Sequence, residues 1–306
     1  MLVILAPGQG SQKPGFMSSW LEIPEYRSNI ERYSEEISLD LIKHGTLSVE
    51  ETIRDTAIAQ PLIVAASIAS AALLDSVNVS GVAGHSVGEV SAAAVSGILS
   101  ATQAMQLVNI RAQAMARAAA SSEPTGMAAV LGGEVDVVVA RLTELGLSPA
   151  NYNGAGQIVA AGSKKAIAEL VAEGPSGAKV IPLSVAGAFH THYMQPAVSE
   201  LESFTSGLGL SDPNLKLWSN QNGQVVSNGN EFINLLVGQI ANSVRWDLCM
   251  DAMVKAGVTA VIELSPAGTL AGLAKRGMPG VEIVALKEPT DLEYAQDLIN
   301  RSTKKV

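Results

Sequence analysis

Cysteine is nearly absent from this 306-residue chain. The single residue, Cys249, excludes an internal disulfide and any cysteine-rich zinc or iron–sulfur centre, and its place beside a helical stretch assigns it to the core. Aromatic residues make up only 4% of the chain, too few for a base-stacking platform. Positive charge is also scarce: 20 Lys and Arg stand against 29 Asp and Glu, and a net charge of -9 argues against a nucleic-acid surface. No apolar run is long enough to span a bilayer, because Ser, Gln, Glu or Gly interrupts each one. The first seven residues, Met1 to Pro7, lack a basic leader and run into Gly-Gln-Gly, so they read as a strand and not a signal peptide. A cytoplasmic protein without membrane or nucleic-acid partners is expected.

What is abundant is small and apolar. A hydrophobic content of 47% over 306 residues can fill one large core plus a satellite. Short β-branched runs, Gly-rich turns and Ala-rich helical stretches recur, the pattern of a parallel sheet covered by helices. Leu2–Ala6 and Val82–Ala83 read as strands. Helices are expected from Pro61 to about Ser76, after Val87, and over Thr102–Ala119; Val258–Leu264 and Thr269–Arg276 read as a strand and a helix joined by a turn. The middle differs. Met127–Leu131, Val135–Leu145, Ala150–Asn153, Gln157–Gly162, Lys164–Glu173 and Lys179–Pro182 follow a β-α-β-β-α-β order, the ferredoxin-like pattern, with Asn153-Gly154-Ala155-Gly156 suited to the central hairpin. The expected fold class is α/β: a large domain of residues 1–125 and 187–306 with a short parallel sheet and flanking helices, and an inserted small domain of residues 126–186. The polar tail Asn300–Val306 is expected to fray.

Gly84-His85-Ser86-Val87-Gly88 fits a strand-to-helix elbow, in which strained backbone angles expose the serine Oγ and only glycine fits two positions away. A structural glycine turn with an incidental serine is the alternative. A nucleophilic serine needs a base, and there are four histidines. His44 lies in an expected loop, and an elbow would turn His85 away from the Oγ. His190 and His192 remain, one to act and one structural; as a metal pair they lack a Glu-x-x-His or Cys companion, so no metal is expected. Between 86 and 190 the only aspartate is Asp136, which reads as a helix N-cap. The missing acid favours a Ser-His dyad whose imidazole is held by a neutral group.

Arg111 falls on the apolar stripe of Ala104, Leu107, Val108, Met115 and Ala118. An inward guanidinium must meet an anion. Either a protein carboxylate or a substrate carboxylate satisfies it, and the second would select a dicarboxylic acyl group. The loop Pro7-Gly8-Gln9-Gly10-Ser11-Gln12 follows the first strand; it fails as a dinucleotide fingerprint, but it can bring a backbone N–H to an oxyanion beside that of Val87.

Together these blocks resemble the malonyl-CoA:acyl-carrier-protein transacylases of type II fatty acid synthesis and the related polyketide acyltransferase domains. The likeness spans nearly the whole chain: residues 7–12, Gln60-Pro61, 84–89, Arg111, 153–157, Ala188-Phe189-His190, and Val237-Gly238-Gln239 leading to Val244-Arg245-Trp246. One departure is Ser265-Pro266-Ala267-Gly268, where many members carry Gly-Pro-Gly. The resemblance implies a hydrolase-like core with a ferredoxin-like insert. It implies Ser86 as nucleophile, His190 as base, and Gln239 holding the imidazole through an oxygen. Gln9 and Val87 would supply the oxyanion hole, Arg111 would clamp malonate, and Phe189 belongs to the malonyl version of the Ala-Phe-His run. It further implies malonyl-CoA as substrate with no bound cofactor, an acyl carrier protein as partner, and a monomer. Carrier proteins of this kind are acidic, so a local basic patch is expected among Lys164, Lys165, Lys179, Arg245, Lys275 and Arg276. Alternatives are a malonyltransferase of a polyketide synthase or malonate decarboxylase system, a serine esterase or thioesterase, and a non-catalytic binding domain.

Overall fold

A computed structural model of the chain describes residues 1–185 and 187–302. Ala186 and residues 303–306, which take in the expected small-domain boundary and most of the expected frayed tail, lie outside the described residues. Asn300 and Arg301 close the last helix, Asp291–Arg301.

The strands in chain order are β1 (Leu2–Ala6), β2 (Gly81–Gly84), β3 (Thr125–Gly132), β4 (Ser148–Gly154), β5 (Gln157–Ser163), β6 (Ala178–Leu183), β7 (Lys216–Trp218), β8 (Val225–Val226), β9 (Val244–Arg245), β10 (Ala260–Glu263) and β11 (Glu282–Ala285). They form two sheets. The first has the order β11-β10-β1-β2-β7-β8 and is parallel except for the β7–β8 pair. Its central strand β1 is buried throughout: Leu2 and Ile4 pack into one apolar cluster, while Val3 and Leu5 pack into another on the opposite face. Two-sided burial explains why β1 is a continuous apolar run without alternation.

The second sheet has the order β6-β3-β5-β4-β9. Its first four strands are antiparallel and interleave with helices Val135–Glu144 and Lys164–Ala172 in the expected β-α-β-β-α-β sequence. Ala128, Val130, Ile158 and Ala160 meet Val138, Leu142, Ile167 and Leu170 of those helices. Met127, Val159 and Ala161, on the other face, join the main core. β9 adds a parallel edge through Asn151↔Val244 and Tyr152↔Arg245, so a segment far along the chain completes this sheet.

Several local expectations needed correction. The helix expected to begin at Pro61 spans Thr56–Ala71, with Pro61 inside it; Asp55 caps its start by accepting from the Ala57 N–H at 2.9 Å. The cap side chain, with its free acceptor, outweighs the preference of proline for the first turn. His44 lies in helix Leu41–Thr46, not a loop. Asp136 is in the first turn of its helix, and Glu134 occupies the cap position. Cys249 is buried inside helix Trp246–Lys255. Among the described residues, no helix is long and apolar enough to cross a membrane.

Candidate active site

Three neighbouring parallel strands bring their carboxyl ends to one place. Ala6 of β1 is in register with Gly84 of β2, and Ala83 of β2 with Trp218 of β7. The loop 7–12, the elbow at Ser86 and the segment after Trp218 therefore meet at one sheet edge, where open α/β sheets place their sites. Ser86 itself has a φ of 53°, a left-handed conformation that a non-glycine residue adopts only when its surroundings enforce it. Here they do. A Cβ on Gly84 would overlap the carbonyl of Gly88, and one on Gly88 would overlap the Ala6 carbonyl, so both glycines permit the tight strand-to-helix crossing. The Ser86 N–H donates to Asn220 Oδ1 at 2.8 Å, and Asn220 Nδ2 donates to the Gly84 carbonyl at 2.8 Å, which ties both sides of the elbow to one buried side chain.

His190 also has a positive φ, 62°, and its Nε2 stands 2.6 Å from Ser86 Oγ. Its Nδ1 lies 2.9 Å from the backbone carbonyl of Gln239, a partner that can only accept. Nδ1 therefore carries the proton and Nε2 is left as the acceptor facing the serine. The oxygen expected from Gln239 is thus a main-chain oxygen, and no carboxylate is bonded to the imidazole among the described residues. Burial first, and the Arg111 charge second, push His190 down to about 3. The ring is neutral at pH 7, as a general base must be. His192 is exposed and leans on Tyr193, so the two histidines part as expected.

Arg111 is only 1% exposed. Nη1 donates to Gln60 Oε1, Nη2 donates to Gln239 Oε1 at 2.9 Å, and Nε has no partner. Of five guanidinium donors two are used, both on neutral amides. Among the described residues no carboxylate stands within ion-pair distance of Arg111, and the buried Glu89 acts on it only from beyond contact. Burial pulls the guanidinium down to about 10, which leaves it charged at neutral pH. Gln60 continues the chain outward: its Nε2 donates to Thr56 Oγ1 at 2.7 Å, and Thr56 donates to Gln9 Oε1 at 3.0 Å.

A cavity of about 540 Å³ is lined by Ser86, His190, Arg111, Gln9, Val87 and Phe189 together. The second sheet supplies its far wall through Met127, Asn153 and Val159, and His85 bridges to that wall with Nε2 2.9 Å from Asn153 Oδ1. The backbone N–H groups of Gln9 and Val87 donate to no protein acceptor among the described residues. Gly8 makes the approach possible, because a Cβ there would come within 2.7 Å of the His85 carbonyl. All the expected site residues therefore converge. Of the expected basic patch, Arg276 borders the cavity, and Lys164, Lys165, Lys179 and Lys275 are exposed. Arg245 departs from the expectation, since it is paired with Asp247 at 2.7 Å and stacked over Tyr152.

Two buried residues at the site went unassigned in the sequence. Glu89, 1% exposed, accepts from the Asn220 N–H at 2.6 Å and from Gln239 Nε2 at 2.6 Å; burial pushes its carboxyl up to about 8, against the pull of Asn220 and Arg111. Glu89 had a signal, because it is the only charge in the helix Gly88–Val95, whose remaining side chains are small or apolar. Asn220 had none, as an asparagine after a three-residue strand reads as a turn.

The acyl transferase domain model matches residues 3–288. The malonyl CoA-acyl carrier protein transacylase of Mycobacterium tuberculosis is 45% identical over 304 residues, covering 97% of this chain and all of that protein. The protein of the same name from Bacillus subtilis is 31% identical, with 96% of each chain covered. Among solved structures, MCAT from Mycobacterium tuberculosis superposes with a TM-score of 0.93 at 44% identity, covering 97% of this chain and 99% of that one. A malonyl-transacylase solved in complex with its type II PKS acyl-carrier protein superposes with a TM-score of 0.91 at 27% identity, covering 97% and 99%. The chain belongs to the malonyl CoA-acyl carrier protein transacylase family of acyl transferase domains.

Proposed function

We propose that this chain transfers malonyl from coenzyme A to the phosphopantetheine thiol of an acyl carrier protein, through a malonyl ester on Ser86, and so supplies fatty acid synthesis. The observation that carries this reading is a buried Arg111, with no carboxylate in ion-pair contact, opening into the same cavity as a Ser86–His190 pair. Two of the three spare guanidinium N–H groups can hold the free carboxylate of a malonyl group as a bidentate pair. We read the architecture as a hydrolase-like large domain, residues 1–125 and 187–306, with residues 126–186 as a ferredoxin-like insert whose inner face walls the cavity.

In the first half-reaction Ser86 Oγ adds to the thioester carbonyl while His190 Nε2 takes its proton. The oxyanion is received by the N–H groups of Gln9 and Val87. Collapse breaks the C–S bond, and the leaving thiolate takes the proton from His190. The second half-reaction reverses the roles: the carrier thiol gives its proton to His190 and adds to the ester, and Ser86 leaves and is reprotonated. Phe189, buried beside His190, narrows the space around the acyl group. The exposed Lys164, Lys165, Lys179, Lys275 and Arg276 are the proposed docking charges for an acidic carrier.

Intact mass after incubation with malonyl-CoA tests the chemistry. A malonyl adduct in the wild type that is missing in Ser86→Ala is the expected result, and an adduct that persists in the variant sinks the assignment. A panel of carrier proteins then separates fatty acid from polyketide carriers.

A further inference from the structure

Glu89 is buried at the centre of the site, yet the reaction steps above give it nothing to do. Its two oxygens serve two different residues. Oε1 accepts from the backbone N–H of Asn220, whose side chain holds the elbow, and Oε2 accepts from Gln239 Nε2. A carboxamide is nearly symmetric in shape but opposite in polarity at its two ends, so its hydrogen bonds alone decide which end faces which neighbour. On one side of Gln239 stand three acceptors: Glu89 Oε2 at 2.6 Å, and the Ser86 carbonyl and Asn220 Oδ1 at 3.2 Å each. On the other stands a donor, Arg111 Nη2, at 2.9 Å from Gln239 Oε1. The bond to Glu89 is the shortest of the three, so it weighs most in the choice.

We propose that Glu89 is a positioning residue for acyl-group selectivity: it fixes the orientation of the Gln239 carboxamide, which in turn holds the Arg111 fork in place for a substrate carboxylate. If the amide turned over, Nε2 would face Nη2, two donors would oppose each other, and Arg111 would lose one of its two protein acceptors. The nucleophile pair is less exposed to this fault, because His190 is held by the main-chain carbonyl of Gln239, which does not turn with the side chain. The proposal rests on the reading of Arg111 as the malonate clamp.

The test is the ratio of Ser86 acylation rates with malonyl-CoA and acetyl-CoA, measured by intact mass in single turnovers at limiting substrate. In Glu89→Gln the oxygen is retained by the Asn220 N–H, so an NH2 group replaces the shortest acceptor of Gln239 Nε2 and loosens the hold on its amide. The malonyl-to-acetyl ratio is expected to fall tenfold or more, with KM for malonyl-CoA rising more than kcat falls. Gln239→Leu keeps the main-chain carbonyl and removes the amide, and should lower the ratio similarly. Adding Glu89→Gln to it should change the ratio by less than about threefold, since the coupling runs through one side chain. A merely structural role for Glu89 lowers both rates together and leaves the ratio intact, which overturns the proposal. Should Glu89→Gln fail to fold, an unchanged ratio in Gln239→Leu alone overturns it. A wild type with no preference for malonyl defeats the Arg111 reading itself, a failure distinct from that of Glu89.

Discussion

Replacing Arg111 by alanine isolates the group on which the substrate assignment rests. Two of its five donors are spent on Gln60 and Gln239, which leaves a fork able to make two charge-assisted bonds to a carboxylate inside a buried cavity. Each such bond contributes about 1.5–3 kcal/mol net. The lower bound for two is about 3 kcal/mol, or on the order of a hundredfold in kcat/KM for malonyl-CoA. Acetyl-CoA carries no carboxylate, so its rate should fall far less and the preference between the two should collapse. The variant also orphans the amide oxygens of Gln60 and Gln239 while it removes a buried charge, and these effects oppose each other. Thermal unfolding therefore accompanies the kinetics, to separate a folded selectivity mutant from a damaged protein. Arg111→Lys keeps the charge without the planar fork and should fall between the two. A well-folded Arg111→Ala that still preferred malonyl by the wild-type margin would refute the carboxylate clamp.

Three further outcomes check other parts of the site. Because burial and Arg111 hold His190 near 3, below its ordinary 6.5, the neutral base persists as pH falls through the usual histidine range. kcat/KM should then stay flat from pH 7 to 5, whereas kcat, measured with the substrate carboxylate neutralising Arg111, should lose activity at a higher pH; coincident inflections near 6.5 count against this electrostatic account. Asn220→Ala removes the acceptor of the Ser86 N–H and the donor to Gly84, leaving a half-buried N–H and a buried carbonyl without these partners, the latter at about 1–3 kcal/mol. A clear drop in Tm together with slower Ser86 acylation is expected, and an unchanged Tm contradicts the bracing role. Gly88→Ala places a methyl group against the carbonyl of Ala6, which belongs to the buried central strand and cannot yield. Soluble, fully active Gly88→Ala protein would show that the elbow is not as tightly packed as its contacts imply.

Features encoded within a few residues were legible without coordinates. The elbow was visible because Gly84 and Gly88 flank Ser86 at the spacing the strained turn demands. The β-α-β-β-α-β stretch was visible because short strand-like and helix-like segments follow one another in that order, with Asn153-Gly154-Ala155-Gly156 at the central hairpin. Arg111 stood out as a charge on an apolar helix face, and the shortage of histidines reduced the choice of base to one pair. Helix starts were read less well: at Pro61 a residue preference was followed where the cap at Asp55 decided.

Tertiary structure alone decided what connects these residues. The bonds from Glu89 to Asn220 and to Gln239 span sequence separations of 131 and 150 residues, and nothing local to any of the three announces the others. Nor can a sequence say that Gln239 serves His190 with its main chain and Arg111 with its side chain, since that division depends on which atoms the helix end Gly229–Gln239 presents to the cavity. The chain by itself determined which groups are chemically capable, because capability resides in residue type and local backbone strain. Which of them share hydrogen bonds was settled by parallel strands in register, which bring Pro7–Gln12, Ser86 and Asn220 to the same edge of one sheet.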